Sequence, residues 1–80
     1  MSKSKVINEC RLIFGSEIFE QALQLEYGAI HHANIAAAAR LLLQFSESPD
    51  KQAQIVSRLA RPTALGLCRY LIEPFIGKDK

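Results

Sequence analysis

Two adjacent histidines, two cysteines and a few carboxylates are the residues of this 80-residue chain whose types could do chemistry. His31 and His32 are neighbours, and neighbouring positions on a helix point about 100° apart, so the pair does not converge on one metal ion. Cys10 and Cys68 lie far from them in the sequence, and the simpler reading is two histidines in the turn entering a helix. Neither cysteine has a candidate base or oxyanion site nearby, as nucleophilic catalysis would need. Asp50 sits at a helix start where capping accounts for it, and Glu17 with Glu20 reads as a solvated first turn. Gly15, Gly28, Gly66 and Gly77 are scattered, so there is no glycine-rich phosphate loop. The pattern points away from an enzyme, from a bound metal and from a cofactor.

Charge offers one further chemistry. Net charge is +2, but Lys3, Lys5, Lys78 and Lys80 supply the basic excess from the two ends. In the body, Glu9, Glu17, Glu20 and Glu26 face Arg11 alone in the first half. Arg40, Lys51, Arg58, Arg61 and Arg69 outnumber Glu47, Asp50 and Glu73 in the second. Arg58, Arg61 and Arg69 fall near one helix–helix junction, where arginines could meet phosphates. No helix carries a polar, base-reading face of clustered Arg, Asn or Gln, so this is weaker than a nucleic-acid footprint.

The elements that must position these residues are helical nearly throughout. Val6, Cys10, Ile13 and Phe14 share a stripe that ends at Gly15. Ser16 then reads as an N-cap, with Glu17 and Glu20 at the positive end of the helix dipole. Ile18, Phe19, Ala22, Leu23 and Leu25 form the apolar side of that second helix, which closes at Tyr27-Gly28. A third helix, His31 to Phe45, is polar only at Asn34, Arg40 and Gln44, and so should have neighbours on most sides. Its run Ala36-Ala37-Ala38-Ala39 would let another helix approach closely. Ser48 followed by Pro49 marks the start of a fourth helix reaching about Ala60, with Ala53, Val56 and Ala60 on one face. Pro62 opens a fifth, with Leu65, Leu67, Cys68, Leu71 and Ile72 as its apolar side, and Pro74 stops it. No strand signal is present. The expected fold class is all-α, four or five short antiparallel helices forming an array of helical hairpins. Residues 1–80 make one domain, with 1–4 and 77–80 as tails.

Composition bounds the class. A chain this short buries only roughly 60–65% of its unfolded surface, yet 49% of its residues are hydrophobic. Some apolar surface is therefore expected to be completed by another chain. The opening Met1-Ser2-Lys3-Ser4-Lys5 is followed by an apolar stretch broken by Asn8, Glu9 and Arg11, which does not read as a secretory leader. The longest apolar run, Ile35 to Phe45, is too short for a bilayer. Two cysteines in helical patterns do not make a disulfide framework, so a cytoplasmic protein with reduced thiols is expected.

The helix-pair pattern resembles a degenerate tetratricopeptide repeat. Ala53 and Ala60 stand seven apart where such repeats place small residues, Pro62 lies just beyond the helix, and Ala64-Leu65-Gly66 resembles the leucine-glycine opening of a following repeat. It departs from the pattern in having no tryptophan, in Leu41 where glycine is usual, and in a long loop around Pro49. Within that superfamily the chain resembles the short TPR-type chaperones of the type III secretion needle subunit. The resemblance runs through Leu41-Leu42-Leu43, Glu47-Ser48-Pro49, Ala53, Ile55-Val56-Ser57, Leu59, Pro62, Ala64, Leu65-Gly66-Leu67, Arg69 and Leu71. It covers roughly residues 35–75, and the N-terminal half matches only in helical character.

This resemblance implies a cytoplasmic chaperone that masks the amphipathic helix of a self-polymerising needle subunit, together with a second small helical co-chaperone. Recognition would be of the helix-in-groove kind, driven by apolar burial. The inner-face offsets of the repeat imply Ile35, Ala38, Leu42 and Phe45 on the third helix, and Leu67, Tyr70 and Leu71 on the fifth, as partner-binding residues. Plain core is the competing reading for each. On the groove reading, Leu42→Asp or Leu71→Asp abolishes partner binding. Two other functions fit the residues: a small homodimeric helical DNA-binding regulator, and a helical subunit of some other complex. Salt separates the first from apolar groove binding, because phosphate contacts weaken steeply as salt rises.

Overall fold

Apolar residues at helical spacing give five helices among the described residues, the first three packing against the last and the fourth against the first. The computed structural model describes residues 3–25 and 32–76, with the side chains of 5–25 and 34–75. Helix α1 spans Lys3–Phe14, α2 Ser16–Leu23, α3 His32–Leu43, α4 Pro49–Ser57 and α5 Arg61–Ile76, with no strand among the described residues. The all-α class and the five elements agree with the sequence. Helix α1 begins at Lys3, inside what reads as a tail, and Tyr27-Gly28 and residues 77–80 lie outside the described residues.

One residue joins α1 to α2. Gly15 donates to the Arg11 carbonyl at 2.9 Å while its own carbonyl accepts from Phe19 at 3.0 Å, so the helical bonding barely breaks across the turn. Its φ of 89° and ψ of 154° place it in a region essentially reserved for glycine. Gly15 is the N-cap and Ser16 the first helical residue, with no side-chain cap bond, which corrects the expected Ser16 cap. The pair is then stapled from outside: the Arg11 guanidinium lies 4.5 Å from the centroid of the Phe19 ring and 3.4 Å from Glu20.

The packing order differs from an array of sequential hairpins. Helix α5 packs against α1, α2 and α3, and α4 lies against α1. Apart from α1 with α2, the extensive contacts join helices that are not consecutive, whereas a solenoid repeat meets mainly its neighbours. Small residues on α5 explain its central place. Ala64 and Gly66 let neighbours approach, and the Ile35 Cδ1 of α3 comes to 3.0 Å from where a Cβ on Gly66 would sit. Leu67, Cys68 and Ile72 complete a fully buried face that meets Phe14, Phe19, Ala22 and Leu42 in one core. So α5, and not α3, is the helix with neighbours on several sides. Among the described side chains of α3, Ile35, Ala39 and Leu42 are buried, while Leu41 and Leu43 are exposed.

The helix ends follow local chemistry. Ser48 is the N-cap of α4 with Pro49 at its first position, as expected, though the serine hydroxyl makes no cap bond. Helix α4 stops at Ser57, leaving Ala60 outside it and exposed, so Ala53 and Ala60 do not form a helix–helix seam. Helix α5 starts at Arg61, one residue before Pro62, and continues past Pro74 to Ile76. A proline in the final turn removes one N–H and leaves the bonds before it intact, which is why it does not end the helix at Glu73.

Candidate partner-binding cleft

An apolar cleft opens where α1, α3 and α5 meet. Val6, Cys10 and Ile13 supply one wall, Leu42 and Leu43 the other, and Leu71 closes it, enclosing about 320 Å³ with Lys5, Glu9, Ser46 and Gln52 also contributing. The wall on α1 follows from its i, i+4, i+7 stripe, whose outer members are left only partly covered. On the α3 side, Leu42 points into the core at 2% exposure while Leu43, about 100° round the helix, is 59% exposed. Gln52 fixes this edge. Its Nε2 donates to the Leu42 carbonyl at 3.1 Å, a second bond to an oxygen that also accepts from the Phe45 N–H, so a buried amide from α4 ties the end of α3 in place.

The residues expected on a groove face are divided by the structure. Ile35, Leu42 and Leu67 are core residues, Leu67 at 0% exposure, so the open inner face expected from the repeat pattern is instead filled by the chain's own helices. Ala38 and Leu71 are partly buried against that core. Leu42 and Leu71 do come together in the cleft. Phe45 faces a different hollow beyond the end of α3, beneath Lys51. Tyr70 is 39% exposed and does not line the cleft. Sequence reasoning missed Val6, Ile13 and Leu43, because an amphipathic stripe reads as core whether or not anything covers its rim. Gln52 carried a usable signal, being a polar residue one turn before the buried Val56.

Internal pairing uses two of the three arginines at the α4–α5 junction. Arg61 meets Glu17 at 3.2 Å. Arg69 donates from Nη1 to the carbonyls of Ala22 at 3.3 Å and Leu23 at 2.9 Å, capping the negative end of α2 with a cation from α5. Its Nε lies 2.6 Å from Glu73 Oε1 without the N–H aimed at that oxygen, so this contact is Coulombic more than a directed hydrogen bond. Arg58 has no ion-pair partner among the described residues.

The cysteines, distant in sequence, share the core where α1 packs on α5. Burial pushes the Cys10 thiol up from 9.0 to about 11, with the Glu9 charge adding to it. Burial likewise raises Cys68 to about 12, with the neighbouring Cys10 adding to it. Such thiols are poor nucleophiles at neutral pH. His31 lies outside the described residues, and among those described no three His, Cys, Asp or Glu side chains gather as a metal site. No helix there is long and apolar enough to cross a membrane. Compared with family models, with curated proteins and with solved structures, the chain has no significant match in any of the three.

Proposed function

We propose that this chain is a helical binding module that shields an apolar helix of a self-assembling partner, in the manner of the needle-subunit chaperones its second half resembles. The observation that carries the reading is the cleft between α1, α3 and α5, apolar on its walls and rimmed by an exposed leucine. A guest helix seated there would bury Leu43 together with the outer edges of Val6, Ile13 and Leu71. Burial of apolar area gives such binding its driving force at roughly 25 cal/mol per Å² before ordering costs. The chemistry asks nothing of a nucleophile or a metal.

Leu43→Asp is the informative variant. Leu42→Asp would place a charge in the core and report on folding, whereas Leu43 is largely in solvent and can change without loss of the fold. Affinity purification of the tagged chain from its native cells, with mass spectrometry of small co-purifying proteins, is the test. The expected result is a needle-type subunit and a second small helical protein with the native chain, and at least roughly tenfold less of the subunit with Leu43→Asp. Recovery of the chain alone, as a stable homodimer, overturns the reading. Equal recovery of the subunit by native chain and variant removes the cleft as its seat.

A further inference from the structure

A second surface, separate from the cleft, lies between the turn that follows α3 and helix α4. Its floor is Phe45 and Ile55, its sides are Lys51, Gln54 and Arg58, and it forms an open groove of about 270 Å³. Leu41, 45% exposed, lies four residues before Phe45, near the end of α3. Lys51 holds its ammonium 5.7 Å from the Phe45 ring centroid. Neither Lys51 nor Arg58 is ion-paired among the described residues, although Glu47 lines an adjoining hollow with Lys51.

The spacing of these groups is informative. Lys51 and Arg58 are seven residues apart, two turns of helix, so they lie on nearly the same face about 10 Å apart along the axis. Ile55 sits between them. An apolar floor bracketed by two uncompensated cations is complementary to an apolar side chain bracketed by two carboxylates. We propose that this groove docks an acidic amphipathic helix of a partner protein, lying along α4. Its complementary pattern is Glu or Asp at positions i and i+7 with Leu, Ile, Met or Phe at i+3 or i+4. The proposal rests on this groove alone and is independent of what occupies the cleft.

The test uses the full chain and two fluorescein-labelled, alanine-based helical peptides of about 20 residues. One carries Glu at i and i+7 with Leu at i+3 and i+4; the other has Lys in place of both Glu residues. Fluorescence anisotropy at low and moderate salt should show the Glu peptide binding at least roughly tenfold more tightly than its Lys twin, the preference shrinking as salt rises. The double variant Lys51→Glu/Arg58→Glu should reverse that preference, and because both side chains are on the surface, its circular dichroism should be unchanged. Leu43→Asp should leave Glu-peptide binding as it was. The proposal is overturned if neither peptide binds, if both bind equally, or if the double variant keeps the native preference. It is also overturned if Leu43→Asp alone abolishes binding, or if a 20-base-pair DNA duplex displaces the Glu peptide at equal concentration, which would give the cations to phosphate.

Discussion

Gly15 shows how much a single residue can decide in a chain this small. With φ at 89° and ψ at 154°, it occupies a conformation that neither alanine nor the left-handed preference of asparagine accommodates. No atom lies within 4 Å of where a Cβ would stand, so any cost of substitution is backbone strain and not a clash. Gly15→Ala should lower unfolding free energy by about 1–3 kcal/mol in urea denaturation, and Gly15→Asn should be no milder. A mild Asn variant would mean the turn can relax into the left-handed helical region. Arg69 is the second such residue. At 14% side-chain exposure it serves two carbonyls and Glu73 at once. Arg69→Met should cost about 2–3 kcal/mol, and Arg69→Lys should recover little, because one ammonium nitrogen cannot stand at both the Nη1 and Nε positions from which Arg69 reaches the end of α2 and Glu73. Full stability in the lysine variant would show that charge alone matters there.

Between elements, α3 approaches α5 closely at Gly66. Glycine inside a helix is less favourable than alanine by roughly 0.5–1 kcal/mol, so Gly66→Ala should gain from propensity. Against this, a Cβ there meets Ile35 Cδ1 at 3.0 Å in a closed core, and overpacking costs about 1–3 kcal/mol. The second effect is the larger, and Gly66→Ala should destabilise the native chain. In an Ile35→Val background the offending methyl is gone and the next nearest atom stands at 3.5 Å, so the same substitution should stabilise. A double-mutant cycle by thermal denaturation reads this change of sign directly. If the sign is the same in both backgrounds, Ile35 is not what confines position 66.

For the molecule as a whole, the two buried thiols couple stability to alkaline pH. Their folded values, about 11 and about 12, lie above the ordinary 9.0, so the folded chain holds these protons where the unfolded chain releases them. The stability this represents is complete below about pH 9 and is lost as pH rises toward 11 and 12. Denaturation midpoints measured from pH 8 to 10.5 should fall more steeply for the native chain than for Cys10→Ala/Cys68→Ala. Parallel slopes in the two proteins would mean the thiols are not coupled to folding. Beside this closed core stand two open surfaces of different chemistry: the apolar cleft of α1, α3 and α5, and the cation-bracketed groove of α4.

The helical class, the Gly15 turn and the Ser48-Pro49 start were legible in the sequence, because periodicity, glycine and proline act through neighbouring residues. Tertiary structure alone decided which helices meet. Leu42 and Leu43 are adjacent and identical in type, yet one lies in the core and the other is largely in solvent, because α5 covers one side of α3 and no described residue covers the other to the same extent. Arg61 and Arg69 looked available to a ligand and are held by Glu17 and by the end of α2, partners 44 to 47 residues away. Helical spacing records which side chains share a face. Whether that face is covered depends on contacts between distant segments, and those are set by size and shape where helices cross, above all at Gly66 and Ile35.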